Sequence, residues 1–331
     1  MMDFSCVKKS LKNEPGYRLK QAKRLVFLNL IDDWSEATPF SSSLREKLNE
    51  KCSLRIKAEV FTSKDKKTVK AIIFLEDGLK IESVLMQHKD KRNTICVSSQ
   101  VGCPLDCVFC ATGKMGFKRD LKDFEIVNQV LFFARYLKKK KQKVTNVVFM
   151  GMGEPFLNYQ NVIESIKILN DKQGFNLGAR HFSISTVGIT EGIKKLSHES
   201  LEINLAVSLH AADDKLRSKI MPVGKSYPLS KVLKAVNDYI SKTRRRVMFE
   251  YVMIKDVNDK DEHAEQLVKI MKKPLYFLNL IAYNPTGDFK ASSLERIKKF
   301  KEILEEKGVN VTQRYSFGQD IKAACGQLAG E

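Results

Sequence analysis

The segment Thr94-Ile95-Cys96-Val97-Ser98, followed after four residues by Cys103-Pro104-Leu105-Asp106-Cys107-Val108-Phe109-Cys110, reads as a strand running into a loop of three thiols spaced C-x3-C-x2-C. Three thiolates on one short loop can hold three irons of a cubane 4Fe-4S cluster and leave the fourth open. An electron carrier normally closes all four corners with cysteine. A zinc site would want a fourth Cys or His close by, and Ala111-Thr112-Gly113-Lys114 supplies none. The bland alternative is a chance triplet in a chain with seven cysteines.

Outward from this loop, strands and helices alternate. Strands are expected over 94–98, 146–150, 181–185, 203–209, 247–254 and 276–283. Amphipathic helical patterns occupy 124–137, 162–169, 229–240, 262–271 and 294–306. Six βα units in succession imply parallel strands with right-handed crossovers. The unusual sequences fall at strand C-terminal ends: the cysteine loop, Gly151-Met152-Gly153-Glu154-Pro155, Ser185-Thr186-Val187-Gly188, Ser208-Leu209-His210 and Asn284-Pro285. Barrel-like folds build active sites on that rim, and doubly wound sheets place ligands there too. Ahead of this region, 1–50 reads as a helical module with starts near Tyr17 and Ser42. Residues 51–90 read as a β-meander with strands over 54–60, 69–75 and 79–86. The expected division is therefore 1–50, 51–90 and 91–331.

The chain has 331 residues, 43% hydrophobic and 29% charged, with no apolar run near the ~20 residues that span a bilayer. The first eighteen residues lack the apolar core of a signal peptide. A cytoplasmic protein with reduced thiols is expected, so the cysteines read as metal-binding or catalytic and not as a disulfide framework. The net charge of +19 points to a polyanion, most economically a nucleic acid, although a lysine-rich surface also serves solvation. Lys138 to Lys141 suits a solvated helix end; Arg244-Arg245-Arg246 is open to either a phosphate contact or a solvated face.

The cysteine loop with Gly151 to Pro155 resembles radical S-adenosylmethionine (SAM) enzymes. The wider set comprises 96–103, 151–155, Phe249-Glu250-Tyr251 and 320–328, the last reading DIKAACGQL. It resembles the RlmN family of RNA adenine C2 methyltransferases over nearly the whole chain. The resemblance implies a partial (β/α)6 barrel with an N-terminal α+β accessory domain. It also implies a 4Fe-4S cluster on Cys103, Cys107 and Cys110, with SAM held by Gly153, Glu154, Ser185, Ser208, Leu209, His210 and Asn284. Read alone, His210 is as readily a satisfied structural histidine.

Carbon 2 of adenine is electron-poor and carries no acidic proton, so a radical route is needed. In the family one SAM methylates the cysteine matching Cys325, and a second yields the radical that takes hydrogen from that methyl group. The carbon then joins adenine C2, and the thiol matching Cys96 releases the product through a transient disulfide. Glu82 aligns with the glutamate that removes the C2 proton, though the stretch from Glu82 to Cys96 is one residue longer than the family pattern. Cys6 and Cys52 match nothing and read as ordinary thiols. The implied substrates are adenosine 2503 of 23S rRNA, free or in assembly intermediates, and adenosine 37 of some tRNAs. A reducing donor such as flavodoxin is implied as well. Two alternatives stand beside this one: a Cfr-type adenine C8 methyltransferase, which shares the cysteine set, and a non-enzymatic RNA-binding iron–sulfur regulator. Val101 and Pro155 favour RlmN over Cfr. Gln313-Arg314-Tyr315-Ser316 departs from the arginine-rich stretch of the family.

Overall fold

In the computed structural model, residues 3–287 and 289–329 are described. Twelve strands form: β1 (Ala58–Thr62), β2 (Thr68–Phe74), β3 (Lys80–Gln87), β4 (Asn93–Cys96), β5 (Gln100–Gly102), β6 (Phe117–Asp120), β7 (Asn146–Phe149), β8 (Phe182–Thr186), β9 (Asn204–Ser208), β10 (Val247–Met253), β11 (Tyr276–Ala282) and β12 (Val311–Arg314). Ten of them make one sheet in the order β1-β2-β3-β4-β7-β8-β9-β10-β11-β12. From β4 to β12 every neighbouring pair is parallel.

The strand order follows the chain with no reversal. Crossovers of one hand that always step the same way put their helices on one face and curl the sheet. A doubly wound sheet would reverse its order and create a switch point. The fold is therefore the partial (β/α)6 barrel, and it is open, because the edge strands β1 and β12 do not pair. Near-continuous burial along β10 and alternating burial along β7, β8 and β11 are what a sheet covered by helices requires. The covering helices include Asp123–Lys138, Tyr159–Asn170, Leu229–Thr243, Asp261–Met271 and Leu294–Glu306, each turning an apolar stripe inward.

Several expectations change. The first strand begins at Ala58, not 54. The meander continues the main sheet, since β3 pairs antiparallel with β4 at Val84↔Cys96. A seventh parallel strand, β12, follows the last helix and pairs with β11 at Ile281↔Arg314. Cys6 and Cys52, expected as ordinary reduced thiols, are joined in a disulfide. It ties the helix Phe4–Ser10 to the end of the helix Ser42–Lys51, in the part of the main core around Trp34 and Leu48. Among the described residues no helix is long and apolar enough to cross a membrane.

Candidate active site

The three-thiol loop leaves β5 and returns as β6, and this hairpin clamps its ends. Gly102 makes the clamp possible. It sits at φ +74, and a Cβ there would lie 1.8 Å from the Gly116 carbonyl oxygen. Across that approach the Cys103 N–H donates to Gly116 O (3.2 Å), and Cys110 N–H closes a turn on Cys107 O (3.0 Å). Cys107 is buried; Cys103 and Cys110 are half-buried. Burial pushes the Cys103 thiol up to about 12 and the Cys107 thiol well above its ordinary value.

All three thiols line one cavity of about 1020 Å3, together with Gly153, Glu154, Ser185, Ser208, His210, Glu250, Asn284, Arg314 and Cys325. Apart from Glu250, mid-strand in β10, and Cys325, beyond β12, the residues named with the thiols come from the C-terminal ends of the parallel strands β7, β8, β9, β11 and β12, the rim where barrel-like folds assemble chemistry. Gly153, at φ +98, lets its loop press on Gln100, whose Cβ would be 2.6 Å from an added methyl group. Next to it the Glu154 carboxylate is buried and accepts from the N–H groups of Phe156 (3.1 Å) and Val187 (2.9 Å). Burial outweighs those donors and raises its pKa to about 7. Val187 is itself anchored, because the buried Arg217 guanidinium donates to its carbonyl (2.5 Å).

His210 stands at φ +57 just past β9, with Phe109 of the cysteine loop edge-on to its ring at 4.8 Å. Its Nδ1 accepts from the Val252 N–H (3.1 Å), and burial lowers its pKa to about 3. The ring is thus neutral, and Nε2 carries the proton. Ser185 and Ser208 line the cavity, whereas Leu209 is fully buried and contributes backbone, its N–H donating to Glu250 O (3.0 Å). Asn284 donates to the Cys325 carbonyl (3.0 Å) and accepts from Gln319 (2.7 Å).

The C-terminal segment is docked directly on the thiol loop. Ala111 N–H donates to Gly326 O (2.7 Å), and Thr112 Oγ1 donates to Leu328 O (2.6 Å). Cys325 is exposed by area yet ringed by protein, so the space it sees is the cavity. Burial raises its pKa, and Arg314 acts against that. Cys96, a free thiol at the end of β4, does not line the large cavity. It lines an adjoining one of about 480 Å3 shared with Cys325, Asn284 and Arg314. Burial pushes Cys96 up to about 12. Glu82 is buried on β3, paired with Lys70 Nζ (3.0 Å) and accepting from Ala329 N–H (3.1 Å); it lines neither cavity.

Two cavity residues had no role in the sequence reading. Glu250, mid-strand in β10, accepts weakly from Asn279 (3.3 Å) and leaves Oε2 buried without a hydrogen-bond partner among the described residues. A carboxylate inside the apolar run Val247–Met253 was the signal available. Arg314, the last residue of β12, reaches Met150 Sδ (3.2 Å). Of the basic clusters, Lys138 ties to Asn29 O (2.6 Å), and Arg245 to Asn204 (2.7 Å) at the strand ends opposite the cavity. Neither faces the site.

The donor set fits a cluster with one open iron. Three soft donors line one roomy cavity, and burial, which pushes the Cys103 and Cys107 thiols up, shows how costly thiolates are there without a cation to bind. The cavity also fits a sulfonium amino acid. A buried carboxylate whose ionisation is suppressed gains most from an incoming ammonium group.

Residues 97–268 match the family model described as Radical SAM superfamily. A probable dual-specificity RNA methyltransferase RlmN of Dictyoglomus turgidum is 47% identical over 317 residues, covering 95% of this chain and 91% of that one. A ribosomal RNA large subunit methyltransferase N of Nitrosopumilus maritimus is 43% identical over 322 residues, 94% of this chain and 92% of that one. The crystal structure of a radical SAM methyltransferase from Sphaerobacter thermophilus superposes with a TM-score of 0.95 at 40% identity, covering 100% of this chain and 98% of that one.

Proposed function

The chain belongs to the RlmN family of radical SAM RNA methyltransferases, and from that premise we propose that it methylates carbon 2 of adenosine 2503 in 23S rRNA and of adenosine 37 in some tRNAs. Cys325 carries the transferred carbon. The observation that supports this reading most is the docking of Cys325 over the thiol loop, with its sulfur and the three loop thiols on one cavity.

Cys103, Cys107 and Cys110 hold the cluster. When bound, the cluster and SAM supply the 5′-deoxyadenosyl radical that no side chain can provide. Glu154 and the Gly153 backbone receive the amino group of SAM. Ser185, Ser208, Asn284 and the Leu209–His210 backbone turn surround its remaining polar groups. His210 offers an Nε2–H donor and, being neutral, adds no charge beside a sulfonium. Asn284 also fixes the Cys325 carbonyl, so one side chain couples the SAM pocket to the methyl-bearing segment.

Release is assigned to Cys96. Its sulfur bonds to the Cys325 sulfur as the sulfur–carbon bond breaks. The electron pair of that bond stays on the RNA carbon, which takes up a proton. Glu82 is the proposed acceptor of the C2 proton. In the structure its carboxylate is held by Lys70 and the Ala329 amide, so this role requires the C-terminal segment to shift once RNA is bound.

The +19 charge supports grip on phosphates, with the target adenine turned out of its stack into the cavity. A reducing protein of the flavodoxin type is the proposed electron source, and the cytoplasm the proposed location. Nucleoside mass spectrometry after anaerobic reaction with SAM and a reductant tests the reading. 2-Methyladenosine is the expected product; 8-methyladenosine, or unmodified RNA from cluster-loaded protein, would refute it.

A further inference from the structure

The smaller cavity holds Cys96 and Cys325 in a lining that, Arg314 apart, is apolar or uncharged: Val84, Met86, Met150, Ile281, Ala323, Ala324 and their neighbours. Arg314 is the only full charge among the described residues that line it. The same side chain also lines the large cavity, so it stands, like Cys325, at the boundary between the two cavities. Its place is set by the sheet, because β12 is pinned to β11 at Ile281↔Arg314. The guanidinium is further steadied by Met150 Sδ, just past β7. Glu250 on β10 lies within its electrostatic reach and helps hold the cation in this interior.

We propose that Arg314 is a positioning residue for the Cys96–Cys325 pair, keeping a cation beside Cys96 so that its sulfur reacts as the thiolate. This deepens the reading above, because it rests on Cys96 as the releasing thiol. The physical need is plain. Cys96 must lose its proton to solvent before it can attack, and a thiolate in an apolar pocket is unfavourable without a nearby positive charge. Each element packed on Cys96 brings a different group toward it. On β3 the nearest ionisable side chain is Glu82, already neutralised by Lys70; past β7 stands the uncharged Met150; the C-terminal segment brings Cys325; β12 brings Arg314. Of these, Arg314 favours the thiolate most, and the Met150 backbone N–H adds a smaller push in the same direction. A fixed guanidinium also serves both stages. It favours the Cys325 thiolate when that sulfur must accept a methyl group, and the Cys96 thiolate at release.

The test uses full-length, cluster-loaded protein without SAM or RNA, pulsed with iodoacetamide across a range of pH. Peptide mass spectrometry then reads Cys96 alone. Arg314→Gln is expected to slow Cys96 alkylation about tenfold at each pH below the thiol's midpoint, one pKa unit being a factor of ten in thiolate. Arg314→Lys is expected to stay within about threefold of the parent, because it keeps the charge. A Gln variant that alkylates at the parental rate overturns the proposal. So does a Lys variant that falls as far as tenfold, which would mark a role in packing, and this second outcome decides the matter should the Gln variant not fold. Because labelling involves neither RNA nor SAM, its failure would leave the releasing role of Cys96 to its own test.

Discussion

Replacing Glu154 with Gln should stabilise the protein and impair its function, in a pH-dependent way. The Glu154 carboxyl titrates near 4.5 when free and at about 7 in the folded chain, because burial outweighs its hydrogen bonds. The folded state therefore holds a proton that the unfolded state has released, and stability falls as pH rises from ~4.5 through ~7. Ionised Glu154 then costs about 3 kcal/mol in the SAM-free protein. A glutamine avoids that cost but turns an NH2 group toward one of the two backbone donors, Phe156 or Val187, and an unpaired N–H costs ~1–2 kcal/mol. Glu154→Gln should thus be more stable than the parent by ~1–2 kcal/mol at about pH 8.5. Near pH 5, where the parental carboxyl also carries a donor, the difference should be under ~1 kcal/mol. Anaerobic urea denaturation of cluster-loaded, SAM-free protein reads both values. The same change removes the charge that receives an ammonium group, so SAM affinity measured by calorimetry should drop about tenfold or more. A variant less stable than the parent at about pH 8.5, or one that binds SAM equally well, would refute the reasoning.

The clamp on the thiol loop gives a matched pair of predictions. Gly102→Ala drives a methyl group into Gly116 O at a left-handed φ and should cost ~2–4 kcal/mol and lower iron loading. Gly116→Ala shares the positive φ but meets nothing within 4 Å, so only ~1 kcal/mol is expected, with loading retained. Denaturation and iron analysis check both; equal penalties would contradict the steric account.

The parallel strands were legible because each is an apolar run bounded by loops, and their predicted limits lie within two residues of those observed. Helix 294–306 was read to the residue. β12 was missed because four residues, three of them polar or charged, carry no period of their own. It is a strand only because β11 offers an edge. The hairpin β5–β6 escaped for the same reason: three residues pair with four, and the glycine contact that closes it is tertiary. Residues 54–57 alternate but belong to the connection ahead of β1, where the first partner residue is Ala58. The Cys6–Cys52 bond joins residues 46 apart, brought together only by helix packing. Of the residues that line the large cavity, the three loop thiols, Glu154 and Cys325 stand out in the sequence by spacing and motif. Arg314 and Glu250 do not, since each becomes significant only through what faces it across the cavity.

The central claim, that Cys325 delivers the carbon and Cys96 frees the product, is tested most directly by Cys96→Ala incubated anaerobically with SAM, reductant and RNA. A covalent protein–RNA species whose link maps to Cys325 by mass spectrometry is the expected result. Free methylated RNA released at the parental rate, with no such adduct, would contradict it.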